Sequence, residues 1–170
     1  MIIVFIERIG LYLMEQRTID YCHAEDILTA KPGLKEEIAE ILHTVKCSWG
    51  LPEDPAHRLI RDAFMKHGWK SEVLVSKRTN RPHYFDLYKN RVAMELEFSR
   101  REMFYRDYFR FLLAEREGMI DVGVIITRDR DLTAHVVGPL GNRADIHQVS
   151  DDLSWVLTWV RTPIWVIAVK

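Results

Sequence analysis

Cysteine is scarce in this chain: its 170 residues hold two, Cys22 and Cys47. Two thiols cannot form a disulfide framework, and two reduced cysteines suit a cytoplasmic protein. Long apolar runs are missing as well. The apolar N-terminus is interrupted by Glu7 and Arg8, which leaves no signal-peptide core, and no stretch approaches the ~20 apolar residues of a membrane helix. The 8 glycines stand singly, so there is no Gly/Ser linker and no Gly-rich phosphate loop. No serine nucleophile elbow, internal repeat or low-complexity tract occurs. His43 and Cys47 lie at i, i+4, but without CxxC or a paired loop spacing they do not make a zinc set with Cys22 and His23. His57, His67 and His135 fall in no partner pattern and read as structural or surface residues. A net charge of −1 excludes a uniformly basic coat for nucleic acid.

What is there is an ordinary globular mix, 48% hydrophobic and 29% charged, of a length that fits one domain over residues 1–170. Charge is unevenly placed. Residues 58–110 hold 13 Lys/Arg against 7 Asp/Glu, a positive island in an otherwise acidic chain, and such an island suits a polyanion. The N-terminal part, about 19–67, reads as helical. Residues 1–15 fit a strand or a helix, and Asp20 or His23 opens a short helix through Leu28. Leu34, Ile38, Ile41, Leu42 and Val45 make the apolar stripe of a second helix. Asp54-Pro55 opens a third, with Leu59, Ile60, Ala63 and Phe64 inward and Gly68 as its stop.

The second part, about 69–170, changes period. Strands are expected over 69–77, 83–88, 92–98, 120–127 and 164–169. A strong helix is expected over 102–117 and another from about Asp145 or Asp151 to Val160. That order predicts an α/β fold, one mixed β-sheet flanked by helices. The helix at 102–117 carries Met103, Phe104, Tyr105, Tyr108, Phe109, Phe111, Leu112 and Leu113, apolar on more than one face. One side meets the sheet and the other suits a second subunit.

The most informative stretch is YFDLYKNRVAMELEF, residues 84–98. A two-residue turn at Asn90-Arg91 puts Asp86 opposite Glu95 and Tyr84 opposite Glu97. Strand alternation then gathers Asp86, Glu95 and Glu97 on one face, while Met94, Leu96 and Phe98 point to the core. Opposed Cβ atoms lie about 5 Å apart, so these carboxylates repel one another. A hard divalent cation such as Mg²⁺ removes the conflict, and it takes carboxylates, waters and phosphate oxygens as ligands. Held there, it would polarise a phosphoryl oxygen and lower the pKa of a bound water. Lys77, Arg78, Arg81 and His83 form a basic loop suited to DNA phosphates. Asn142 and Arg143, in the irregular stretch before the last helix, can both make bidentate contacts to purine edges.

These residues resemble the PD-(D/E)XK nuclease superfamily, and more narrowly the type II restriction endonucleases of the BglII/BamHI group. The likeness runs from roughly Ile19 to Thr127. TIDYCHAEDIL and LKEEIAEIL resemble the group's N-terminal helices, HGWKSEVLVSKR its approach to the first core strand, FDLYKNRVAMELEFS its metal-binding hairpin, and MIDVGVIITR the strand after the long helix. The resemblance implies a restriction-endonuclease-like core in which Asp86 and Glu95 bind the metal, normally Mg²⁺. Glu97 stands where the superfamily usually has Lys and this group has Gln or Glu; it would hold or polarise the attacking water. Glu72 falls where the group has a further active-site Glu or Asn. Ser99 matches a polar residue near DNA, and Arg100 departs from the group's Asn beside it. The last expected strand is followed only by Lys170, whereas the group continues into a further subdomain that helps surround DNA.

The sequence, with the resemblance, therefore predicts a Mg²⁺-dependent endonuclease of double-stranded DNA, a type II site-specific (restriction) deoxyribonuclease that leaves 5′-phosphates. It would be a homodimer through the 102–117 helix region, cytoplasmic and not membrane-bound, with a cognate DNA methyltransferase as genetic partner. Its catalytic set is Glu72, Asp86, Glu95 and Glu97, its metal set Asp86 and Glu95. Its DNA-binding set is Lys77, Arg78, Arg81, Ser99, Arg100, Asn142 and Arg143. A repair or structure-selective nuclease is the nearby variant. A DNA-binding or assembly module without turnover, and a metal-free protein-interaction domain, are the alternatives from other classes.

Overall fold

The computed structural model describes residues 4–6, 17–45, 53–78, 82–129, 144–156 and 159–169. In chain order these form β1 (Val4–Ile6), β2 (Arg17–Tyr21), α1 (Ala24–Thr29), α2 (Leu34–Thr44), α3 (Glu53–Lys66), β3 (Lys70–Leu74), β4 (Tyr84–Lys89), β5 (Val92–Leu96), α4 (Met103–Arg116), β6 (Val122–Arg128), α5 (Ile146–Val156) and β7 (Ile164–Val169). The strands make one sheet in the order β1-β2-β7-β6-β5-β4-β3. The central β7–β6 and β6–β5 pairings are parallel and the outer ones antiparallel. Among the described residues no helix is long and apolar enough to cross a membrane.

Central strands buried on both faces need near-continuous apolar residues; β7 supplies them throughout and β6 over residues 122–126, ahead of a buried Thr127 and Arg128. One face packs against α1, α2 and α3 through Leu28, Ile38, Ile60 and Phe64, meeting Leu87, Met94, Leu96 and Phe98. The other packs against α4 and α5 through Phe104, Phe111, Val149 and Leu153, meeting Phe85, Ala93 and Ile125. The expected stripe of α2 is buried throughout, Val45 included. In α3 Ala56, Ile60 and Phe64 are buried and Ala63 packs against the same core, as expected, whereas Leu59 faces solvent at 43% exposure. Leu59 precedes Ile60 by one residue, about 100° round the helix, and so falls on the outer flank of the stripe.

The N-terminal part is not wholly helical. Arg17–Tyr21 is a strand paired to β7, and Val4–Ile6 pairs to it in turn. Asp20 sits in that strand, yet its Oδ1 accepts the Glu25 N–H at 3.1 Å and so caps α1 from a distance. Lys31-Pro32-Gly33 separates α1 from α2, with Gly33 at φ +73°. The Asn90-Arg91 turn has both residues at positive φ, the two-residue hairpin geometry, and its register pairs Lys89 with Val92, Tyr88 with Ala93 and Leu87 with Met94. Arg91 and Lys31 both hold Asp121 beside that turn, which pushes the Asp121 carboxyl down to about 2.

Much of the positive island is consumed inside the fold. Lys89 pairs with Glu37, Arg91 with Asp121, Arg101 with Asp152, and Arg106 and Arg110 with buried acids. The charge left to meet a polyanion is smaller than the sequence tally suggests.

Gly123 lets α4 lie close on β6: a Cβ there would sit 2.6 Å from the ring of Phe111, itself stacked on Phe85. Gly123→Ala is expected to destabilise the fold by about 1–3 kcal/mol, the scale of core overpacking. Urea unfolding checks this, and Phe111→Leu in the same chain should recover part of the loss.

Candidate active site on the β4–β5 hairpin

Residues two apart on a strand normally share a face. β4 breaks that rule. Phe85 lies in the α4–α5 layer and Leu87 in the α1–α3 layer, so the strand turns over at Asp86. On its other side β3 pairs Ser71 with Leu87 and Val73 with Phe85 but skips the step between, where Glu72 stands at φ +54°. A left-handed glutamate costs about 1–2 kcal/mol. The backbone irregularity is thus concentrated opposite Asp86, with Glu72 exposed beside it.

The turn-over leaves the Asp86 carboxylate in the seam between β4 and β5. Its Oδ2 accepts the Leu96 N–H at 2.8 Å, a bond the backbone ladder would otherwise make. The same oxygen lies 3.3 Å from Nε2 of His57 on α3. The Glu95 carboxyl on β5 lies close enough to interact with it electrostatically. These bonds outweigh burial and hold the Asp86 carboxyl below the usual range. Glu95 itself is 1% exposed, and Arg110 Nη1 donates to its Oε1 at 3.0 Å. Burial, followed by the charges of Asp107 and Asp86, pushes the Glu95 carboxyl well up. The two neighbouring carboxyls are thus displaced in opposite directions.

Glu97 follows β5 on the same side as Glu95 but turns elsewhere. Its Oε1 accepts from both the N–H and the hydroxyl of Ser99, and Arg106 Nη2 approaches its Oε2 at 3.4 Å. The expected convergence of Asp86, Glu95 and Glu97 on one point is therefore not what the side chains do. Among the described residues no three His, Cys, Asp or Glu groups come together to hold a metal ion by themselves. Alternation placed Glu95 and Glu97 correctly; it could not foresee the phase change at Asp86 or the arginines on α4.

Those arginines flank Asp107, a residue of α4 with no exposed surface. Asp107 Oδ1 accepts from Arg106 Nε at 3.2 Å and from Arg110 Nη1 at 3.3 Å, while its Oδ2 is buried without a partner. Burial raises this carboxyl to about 7. A continuous polar chain results: His57, Asp86, Glu95, Arg110, Asp107, Arg106, Glu97, Ser99.

Whether a divalent cation fits here is decided by charge. Arg110 beside Glu95 would by itself argue against an ion. But the four carboxyls of Asp86, Glu95, Asp107 and Glu97 are met by only two guanidiniums, those of Arg106 and Arg110. His57 adds charge only when protonated. With His57 neutral, four carboxylates against two guanidiniums leave the group two positive charges short. A hard divalent cation supplies that charge, and two carboxylates completed by water and phosphate are an ordinary magnesium shell.

Of the remaining sequence-derived residues, Ser99 is half-buried and bonded to Glu97, and Arg100 beside it is exposed. Lys77 is exposed; Arg78 is too, with its Nε 3.7 Å from Glu117 at the end of α4. Arg81, Asn142 and Arg143 lie outside the described residues. His57, Arg106, Asp107 and Arg110 escaped the sequence reading. A signal existed for Asp107: it shares the sheet-facing stripe of α4 with Phe104, Phe111 and Ala114, where a lone carboxylate is costly.

Similarity to known proteins agrees with this frame. The chain resembles a solved structure described as restriction endonuclease BglII complexed with a DNA 16-mer, at a TM-score of 0.77 and 20% identity, over 92% of this chain and 76% of that one. At that identity the likeness establishes the fold, an α/β core of the restriction-endonuclease kind. No curated protein matches the sequence. The family model described as restriction endonuclease BglII/BglIII matches residues 17–169, and the chain belongs to that family.

Proposed function

We propose that this chain is a Mg²⁺-dependent, site-specific endonuclease of double-stranded DNA. The carrying observation is the juxtaposed Asp86 and Glu95 carboxyls, part of a group of four carboxyls met by two guanidiniums. Asp86 and Glu95 hold the cation. When bound, it supplies Lewis-acid polarisation of a phosphoryl oxygen and a lowered pKa for the attacking water. Leu96 N–H and His57 orient Asp86, and Arg110 orients Glu95. Glu97, fixed as an acceptor by Ser99 and Arg106, aligns the water for in-line attack, and Glu72 stands opposite Asp86 on β3. No lysine occupies the Glu97 position, so water activation falls to carboxylates. In-line attack that breaks the P–O3′ bond, with the 3′ oxygen leaving and taking up a proton, gives a 5′-phosphate and a 3′-hydroxyl.

DNA is the partner this reading requires, and BglII carries it in the solved complex. Arg100 and Ser99 lie at the end of β5 next to Glu97, while Lys77, Arg78, Arg81, Asn142 and Arg143 complete the contact set of the reading. A two-fold dimer matches palindromic DNA. Its support here is the outer face of α4, where Tyr105 and Phe109 are 50% and 53% exposed one turn apart. On α5, Trp155 is exposed, and Arg101 and Tyr105 bind Asp152 to tie the two helices together. A cytoplasmic setting and a cognate methyltransferase belong to the same reading.

Plasmid cleavage tests the activity. Cutting is expected with Mg²⁺ or Mn²⁺ and none with chelator. Glu95→Gln should lower the rate by about 10²-fold or more, the scale on which loss of a charge-stabilising group registers. DNA retention without metal-dependent cutting by the wild type would instead indicate a binding module.

Assembly is tested by Phe109→Glu, which should shift the sedimentation coefficient from dimer toward monomer. An unchanged dimer would move the interface away from α4.

The raised carboxyls give a pH dependence with a definite sign. Asp107 keeps its proton in the folded state up to about 7 and loses it near 3.8 when unfolded. The folded state therefore binds more protons between those values, and metal-free stability falls as pH rises across that window. Thermal unfolding should show the decline, and Asp107→Asn should flatten it.

A further inference from the structure

Asp107 touches neither of the two expected metal ligands by a bond of its own, yet both arginines that hold the acidic side chains of the β5 region converge on it. Its Oδ1 takes Arg106 Nε and Arg110 Nη1, and through those guanidiniums it reaches Glu97 and Glu95. Its Oδ2 is buried without a hydrogen-bond partner in a residue with no exposed surface. A carboxylate on the sheet-facing stripe of a helix does not stabilise a fold by itself, because desolvation outweighs a shared ion pair. A stability role would be filled as well by an apolar residue, as Phe104, Phe111 and Ala114 fill their positions on the same stripe.

Resting on the proposed nuclease reading, we propose that Asp107 is a charge-setting and positioning residue of the cation site, acting through Arg110. It holds Arg110 against Oε1 of Glu95. It also cancels the charge that Arg110 brings, so that Asp86 and Glu95 together present two negative charges to an entering cation. Without Asp107, Arg110 neutralises part of the dyad and opposes the ion. Without Arg110, Asp107 adds its charge to the dyad and attracts the ion. The two members of one ion pair thus act on cation affinity with opposite signs. A merely structural pair would act with the same sign, since loss of either member loosens the same packing.

The experiment titrates Mn²⁺ alone into the full DNA-free chain by calorimetry, with plasmid cleavage by the wild type measured alongside. Asp107→Asn is expected to weaken Mn²⁺ about tenfold, within the range found for outer partners of metal ligands. Arg110→Met is expected to tighten it several-fold, and the double variant to return near the wild-type affinity. Weakening in both single variants, or an Asp107→Asn isotherm equal to wild type, overturns the proposal. If Asp107→Asn does not fold, Arg110→Met decides alone: tighter binding supports the assignment and weaker binding overturns it. A wild type that neither binds Mn²⁺ nor cuts DNA defeats the nuclease reading itself. A wild type that does both, beside an unaffected Asp107→Asn, defeats only the role of Asp107.

Discussion

Like charges forced together out of water set the terms for this molecule. Glu95 and Asp107 are buried and share the guanidinium of Arg110, with Asp86 next to Glu95 and Arg106 bridging Asp107 to Glu97. In low dielectric such an arrangement cannot stay fully ionised; it must take up protons or a cation. The hairpin and α4 exist in their observed relation because each supplies half of this group. Gly123 permits the close approach of α4 to the sheet, and Phe85 stacked on Phe111 fixes it.

The change of phase at Asp86 is the backbone counterpart of that electrostatic constraint. A regular β4 would send Phe85 and Leu87 to one side and bury Asp86 on the other. Turning the strand over lets both apolar neighbours find cores while the carboxylate stays in the seam, bonded to the Leu96 amide. The left-handed Glu72 absorbs the twist on the neighbouring strand. His57 then anchors the arrangement from the opposite helical layer, so that α3, β4, β5 and α4 all meet around one pair of acids.

The architecture was largely legible because it rests on local periodicities. The stripe of α2, the Asn90-Arg91 turn and the continuous apolar runs of β6 and β7 each report a single burial environment. Arg17–Tyr21 was not legible as a strand, since its neighbours Val166 and Ile167 lie some 150 residues away and its own alternation is short. At the site, Asp86 and Glu95 could be paired from the turn alone. The direction of Glu97 could not, because Ser99 and Arg106 decide it. His57 was passed over for lack of a spacing pattern, and contact between a helix and a strand of distant sequence leaves none.

The left-handed residue in β3 has a bearing outside the site. Among the described residues β3 is the last strand of the sheet, so one row of its backbone groups has no strand beside it. Such a border invites edge-to-edge growth into aggregates. A kink at Glu72 interrupts that row halfway and sets a charge on it, so the same distortion that shapes the mouth of the acid pair also spoils the border as a template for intermolecular sheet.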